Sequence, residues 1–238
     1  MAIRVGGLSD TGRLRLRNED AIAWDEHAQI AVLADGLGGH PAGDVASRIT
    51  VEAVVERAAQ SGALDLQDHL CSLVESANTA VLAHAEANPA YRGMASTIVV
   101  VGVEDDRVGV VHCGDSRAYR WHSQFLLCLT RDHNVAQEAV EHRLLTVDEA
   151  RQAPQRHILT QALGLYEQVQ CDYTEWPRKP GDLYLLCSDG ITDELEDPEI
   201  AQVLATHAHD PSAAAQALVQ AAIAAGGHDN ASAVVVSV

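Results

Sequence analysis

Five aspartates stand where an apolar run begins or stops. Asp35 ends "IAVLAD" (30–35), Asp189 follows "LYLLCS" (183–188), Asp115 follows "VGVVHCG" (108–114), Asp229 stands just before "SAVVVSV" (232–238), and Asp20 precedes "AIAW" (21–24). If those runs are strands of one sandwich, their ends can meet on one rim and the carboxylates there repel. Two like charges about 4 Å apart cost roughly 4 kcal/mol at an effective dielectric near 20. Protonation, pairing with Arg or Lys, or a divalent cation must neutralise them. Only 16 Lys plus Arg stand against 34 Asp plus Glu, and none adjoins Asp35, Asp189 or Asp229. Oxygen donors without Cys or a His pair suit a hard ion, Mg²⁺ or Mn²⁺, better than zinc. Gly36 and Gly190, directly after two of the aspartates, would let the backbone turn tightly and bring a carbonyl to such an ion. A lone Asp-Gly after a strand is an ordinary turn. What sets these apart is their company: Arg15, Glu19 and Asp20 before the first, Gly114-Asp115-Ser116 in the middle, Asp229-Asn230 at the end.

The elements that must position these residues follow from periodicity. Apolar or alternating runs predict strands at 28–34, 97–103, 107–113, 125–129, 168–176, 182–187 and 232–238. Ala42, Val45, Ala46, Ile49 and Ala53 recur at helical spacing, as do Leu66, Leu70, Leu73, Ala77 and Val81. Pro41 precedes the first of these helices, where its fixed φ costs little. Further helices are expected at 197–206 and 211–225, the latter closed by Gly226 and Gly227. The strands between Thr97 and Leu129 are joined by short turns, which favours antiparallel hairpins over βαβ crossovers. Segment 131–164 is polar, carries His133, His142 and His157, and reads as an insertion over a sheet edge. It is either a solvated helical excursion or a flap facing a substrate.

Composition removes several classes. A formal net charge of −18 repels a phosphate backbone, so no nucleic-acid partner is expected. The start "MAIRVGGLSDTG" has no apolar signal core, and no window approaches the roughly 18 apolar residues of a membrane span. A cytoplasmic protein with no membrane partner is the expectation, and a monomer the default. The five cysteines are widely spaced without a CxxC, which disfavours a disulfide scaffold or structural zinc. Cys113 and Cys187 lie inside apolar runs as small core residues. The glycine-rich "DGLGGHPAG" lacks the GK[ST] of a P-loop, and Pro41 takes the final glycine position of a GxGxxG begun at Gly36.

The motifs, in order, resemble those of the metal-dependent PP2C-type (PPM) serine/threonine protein phosphatases in their compact bacterial form: "RLRNED" (15–20), "DGLGGHPAGDVAS" (35–47), "GMASTIVV" (93–100), "CGDSRAY" (113–119), "LTRDHN" (129–134), "LTQALG" (159–164), "CSDGITD" (187–193) and "DNASAVVV" (229–236). The resemblance covers almost the whole chain. It implies one domain over residues 1–238 of α+β class, a β-sandwich of two antiparallel sheets flanked by helix pairs, with the flap at about 131–164. It further implies two Mn²⁺ or Mg²⁺ ions. Asp35 would bridge both, Gly36 would offer its carbonyl to one, and Asp189 and Asp229 would hold the other. Glu19 and Asp20 would act through metal-bound waters, and Asp115 with Asp189 would hold a third ion. Arg15 would grip the substrate phosphate, a role its planar fork suits, leaving Arg13 and Arg17 as solvated charges. Asp35, Asp189 and Arg15 would be the catalytic group. The implied reaction is direct hydrolysis of phosphoserine or phosphothreonine by a metal-bridging hydroxide, opposing bacterial Ser/Thr kinases, with phosphorylated proteins as substrates and proteins carrying phosphothreonine-binding domains among the partners.

One departure concerns the leaving-group proton. Animal members of that family place a histidine directly after the first Asp-Gly, where this chain has Leu37. His40 is near in sequence, but a metal-bound water is the preferred donor. Two other readings stand beside the phosphatase: a catalytically inactive phosphoprotein-binding regulator, against which the intact Asp35, Asp189 and Asp229 argue, and a small-molecule phosphohydrolase.

Overall fold

The computed structural model describes residues 2–37, 42–60 and 65–238. In chain order the elements are β1 (Arg4–Asp10), β2 (Asp20–Asp25), β3 (Ile30–Asp35), α1 (Gly43–Ala59), α2 (Leu66–Ala87), β4 (Ile98–Val103), β5 (Arg107–Cys113), β6 (Arg117–His122), β7 (Phe125–Cys128), α3 (Val135–Glu141), α4 (Val147–Gln152), β8 (Asp172–Pro177), β9 (Leu183–Cys187), α5 (Asp189–Thr192), α6 (Asp197–Thr206), α7 (Pro211–Ala225) and β10 (Ala231–Ser237). Two five-stranded sheets form, ordered β1-β10-β9-β6-β7 and β2-β3-β4-β5-β8. Each neighbouring pair in them is antiparallel. The expected α+β sandwich is what the chain forms.

Three apolar layers hold it together, and strand alternation sorts residues among them. Ile30, Val32, Ala34, Ile98 and Val100 face α1 and α2, packing on Leu66, Leu70, Leu73 and Ala77. Their neighbours Ala31, Leu33, Val99 and Val101 face the other sheet, meeting Leu186, Val234 and Val236. On the far side Leu183, Leu185, Ala233 and Val235 pack against Leu204, Leu218 and Ala222 of α6 and α7. Strands buried on both faces read as continuous apolar runs, which is why "IAVLA" and "LYLLC" are legible without alternation.

Two strands do not announce themselves. β1 carries Gly6 and Gly7; a Cβ on Gly6 would stand 2.3 Å from the Ser212 backbone, so the glycine lets α7 approach the strand. β6 contains Arg117 and Arg120. Arg120 is buried, donating from Nε to Asp182 at 2.6 Å and lying 5.6 Å from the Trp176 ring centroid, so its charge is satisfied by residues remote in sequence. Some limits also shift: Ile30, not Ala28, opens β3, Asp172, not Gln168, opens β8, and Ala42 precedes α1 as its cap with φ 60° instead of joining its apolar stripe. Pro41 lies outside the described residues. Cys113 and Cys187 are buried, and all five cysteines are free.

Residues 131–164 link the edge strand of one sheet, β7, to the edge strand of the other, β8. They carry α3, α4 and a 3-10 turn, Pro154–His157. The stem of this excursion is pinned to the sandwich: Ser96 and Leu163 exchange backbone hydrogen bonds at 3.2 and 2.8 Å, and the His133 backbone N–H donates to the Gly114 carbonyl at 3.0 Å. A solvated helical excursion and a flap agree with this equally; what lies beneath it separates them.

Candidate metal and phosphate site

The rim where the strand ends meet is built by cross-strand register. Asp20 stands directly opposite Asp35 in the β2–β3 ladder. The Asp35 backbone is fixed on its other side, its N–H donating to Thr97 Oγ1 at 3.0 Å and its carbonyl accepting from Thr97 N–H at 2.8 Å and Ser96 Oγ at 3.0 Å. Thr97 Oγ1 in turn lies 2.7 Å from Ser116 Oγ, which ties the turn bearing Asp115 to the same frame. Asp189 does not end a strand; it opens the short helix α5 after Ser188. Ser188 Oγ donates to Asp20 Oδ2 at 2.8 Å and accepts the Ser232 N–H at 3.0 Å, joining the two sheets at the site.

Asn230 fastens the remaining loop. Its Oδ1 accepts the Glu19 N–H at 2.8 Å, and its Nδ2 donates to the carbonyls of Thr11 and Arg17 at 2.8 and 2.9 Å. The loop from Thr11 to Glu19 is thereby held against Asp229, whose Oδ2 lies 2.5 Å from Arg15 Nη2. Arg13 and Arg17 are exposed, Arg17 reaching no closer than 3.9 Å to Asp44. Glu19 lies against the start of α1, its Oε1 3.0 Å from where a Cβ of Gly43 would be, a place where the helix dipole favours a carboxylate.

The glycines after Asp35 and Asp189 act differently from a tight turn. Neither is among the positive-φ residues. A Cβ on Gly36 would stand 2.1 Å from the Gly43 carbonyl oxygen, and one on Gly190 would stand 2.0 Å from that of Asn230. Both are glycine because another backbone passes too closely for a side chain.

Charge is concentrated here beyond what the protein neutralises. Burial, then the charges of Asp20, Asp189, Asp115 and Asp229, push the Asp35 carboxyl well above the usual range. Asp189 is raised in the same way by burial, Asp115 and Asp193. Burial lifts Asp20 to about 6 and, with Asp132 adding to it, Asp115 to about 7. Glu19 is raised by burial, with Arg15 opposing. Asp20 Oδ1 is buried and has no hydrogen-bond partner among the described residues. An all-oxygen donor set with an unpartnered buried carboxylate oxygen and mutually raised carboxyls fits a hard divalent cation.

Two residues that the sequence did not flag join this rim. Asp193 and His157 have ligand atoms within 4.8 Å of one another and of Asp189, and Asp193 pairs with Arg156. Asp193 lies four residues after Asp189, and that spacing was the available signal; nothing local marks His157, which the excursion of 131–164 brings in. Beneath that excursion runs a cleft of about 370 Å³ whose lining includes Asp115, Asp189, Arg117, Arg151 and His157. The segment thus borders the Asp115 and Asp189 side of the rim. A separate cluster, His112, His133 and Asp172, is explained structurally. His133 Nδ1 accepts the Gly114 N–H at 3.3 Å, which leaves its Nε2 protonated toward Asp172 at 3.5 Å. Leu37 is held by its N–H on the Ala95 carbonyl at 3.0 Å, and His40 lies outside the described residues.

A family model described as protein phosphatase 2C matches residues 13–225. The chain belongs to the protein phosphatase 2C family. It is 34% identical to the serine/threonine protein phosphatase PstP of Mycobacterium tuberculosis over its full 238 residues, which span 45% of that protein; the chain thus covers about half the length of this relative. It is 31% identical to the serine/threonine phosphatase stp of Listeria monocytogenes, with 93% of this chain and 90% of that one aligned. The crystal structure of PstP superposes with a TM-score of 0.91 over 100% of this chain and 99% of that one. A second structure, of the PstP catalytic domain with two manganese ions, gives 0.88 at 33% identity over 99% of this chain and 98% of that one. Among the described residues no helix is long and apolar enough to cross a membrane.

Proposed function

We propose that this chain is a metal-dependent serine/threonine protein phosphatase: one PP2C-type domain over residues 1–238, flap included, that hydrolyses phosphoserine and phosphothreonine in proteins. The observation that carries the reading is the meeting of Asp20, Asp35, Asp115, Asp189 and Asp229 at one rim with a buried oxygen left unpartnered. Family membership and the two manganese ions of the PstP catalytic domain support it.

In this reading Asp35, the Gly36 carbonyl, Asp189 and Asp229 would hold two Mn²⁺ or Mg²⁺ ions, Glu19 and Asp20 would assist through water, and Asp115 with Asp189 would hold a third ion. Bound ions supply charge neutralisation of the phosphoryl oxygens and a lowered pKa for water. The chain's own residues do the rest. Thr97 and Ser96 fix the Asp35 backbone and Ser188 fixes the Asp20 carboxylate, so that little reorganisation is needed on binding. Arg15 is poised to exchange Asp229 for a substrate phosphate, to which its guanidinium presents paired donors. The flap stem, pinned through His133 and Leu163, holds the cover over the cleft. A cytoplasmic setting and an opposing Ser/Thr kinase belong to the same proposal.

The test is phosphate release from a phosphothreonine peptide by metal-stripped protein, with and without added Mn²⁺, alongside the Asp35→Asn variant. Activity that needs metal and vanishes in the variant, with its circular dichroism unchanged, is expected. An active Asp35→Asn protein overturns the site. Metal binding without turnover would instead favour a phosphoprotein-binding regulator.

A further inference from the structure

Two segments reach the carboxylate centre, and each displays apolar side chains beside the residue that makes contact. In the β1–β2 loop Arg15 touches Asp229, and its neighbours on either side, Leu14 and Leu16, are 66% and 99% exposed. In the flap His157 approaches Asp189 and Asp193, and the next residue, Ile158, is 54% exposed. Single exposed leucines are commonplace on protein surfaces. These three differ in placement, since each is the immediate chain neighbour of a side chain at the centre. Leu16 buries almost nothing within the chain, so it does nothing for the core. The surrounding charge narrows what such a surface can meet. At a net charge of −18 the protein disfavours strongly acidic flanks, whereas uncharged apolar flanks meet no such field.

Resting on the phosphatase reading, we infer that Leu14, Leu16 and Ile158 are specificity determinants that bind apolar residues flanking the phosphorylated Ser or Thr of a polypeptide substrate. The phosphate goes to the carboxylate centre and Arg15, and apolar neighbours in the substrate's chain lie against the loop and the flap. Recognition of this kind acts on capture of the polypeptide and leaves the chemistry at the phosphorus atom unchanged.

The experiment compares three substrates with Mn²⁺ present: a phosphothreonine peptide with Leu or Val on both sides, the same peptide with Gly and Ser in those places, and p-nitrophenyl phosphate. Wild type is expected to favour the apolar-flanked peptide about tenfold in kcat/KM, which is about 1.4 kcal/mol. The Leu14→Ser/Leu16→Ser double variant and Ile158→Ser should each lose most of that preference through a higher KM, with p-nitrophenyl phosphate kinetics unchanged. Equal use of both peptides by wild type overturns the inference. So does an equal loss on all three substrates in the variants, which would make the leucines supports of the loop. Hydrolysis of p-nitrophenyl phosphate with neither peptide cleaved overturns the protein-phosphatase reading itself, a result distinct from the other two.

Discussion

Replacing Asp20 by Asn should stabilise the metal-free protein while weakening its response to metal. Asp20 is buried opposite Asp35, with one oxygen bonded to Ser188 and the other unpartnered. Burial is the main reason its carboxyl moves from 3.8 to about 6. At about 1.4 kcal/mol per pH unit, that difference corresponds to about 3 kcal/mol of destabilisation once the folded carboxyl is ionised. The sign follows from proton binding. Well below pH 3.8 the carboxyl is neutral in both folded and unfolded chains and the two proteins differ little. As pH rises from 3.8 to about 6, the unfolded chain releases its proton before the folded one does. Wild type therefore loses stability across that window, and the full cost persists above it. Asn keeps the acceptor for Ser188 and offers N–H toward Asp35, so about 1–3 kcal/mol of the cost should be recovered at pH 8. For a chain of this size that is a rise of about 3–10 °C in Tm. Thermal unfolding in EDTA at pH 5 and pH 8 measures it, and the gap between variant and wild type should widen with pH. Added Mn²⁺ should then raise the Tm of wild type more than that of the variant. A variant less stable than wild type at pH 8 without metal, or a gap that does not grow with pH, would refute the claim that uncompensated carboxylate charge dominates this rim.

Other perturbations separate positioning from chemistry. Arg15→Ala should raise KM for phosphopeptides more than it lowers kcat, read from steady-state kinetics, because Arg15 presents its donors at the loop and pairs with Asp229; a collapse of kcat alone would place Arg15 in the transition state. Asn230→Ala removes three hydrogen bonds to the Thr11–Glu19 loop and should cost about 2–4 kcal/mol in urea unfolding, since the Glu19 N–H and two carbonyls lose their partner. Shortening the flap between residues 140 and 155 should change the ranking of phosphoprotein substrates more than turnover of p-nitrophenyl phosphate; equal effects on both would leave the flap as support only.

What could be read from the chain depended on whether a residue's reason for being there is local. Strands buried on both faces, such as "IAVLA", show themselves because both neighbouring layers demand apolar side chains, and the aspartates at their ends are visible for the same reason: a charge abruptly follows a run that excludes it. β1 and β6 hid because their odd residues answer to distant partners. Gly6 yields to α7, and Arg120 to Asp182. The same distinction explains the site. Asp20, Asp35, Asp115, Asp189 and Asp229 stand out in the sequence itself, whereas His157 comes within 4.8 Å of Asp189 only through the path of segment 131–164. Gly36 and Gly190 are glycine for a different reason from the one their sequence positions suggest. Their positions suggested turns, but the close passage of the Gly43 and Asn230 backbones is what forbids a side chain. That difference has a mechanical consequence. Gly36 packs on the start of α1 and Gly190 on the start of β10, so each aspartate is clamped from behind by a second segment and cannot retreat from its neighbours' charge. A rim that holds its carboxylates together against their own repulsion is prepared for a cation before one arrives.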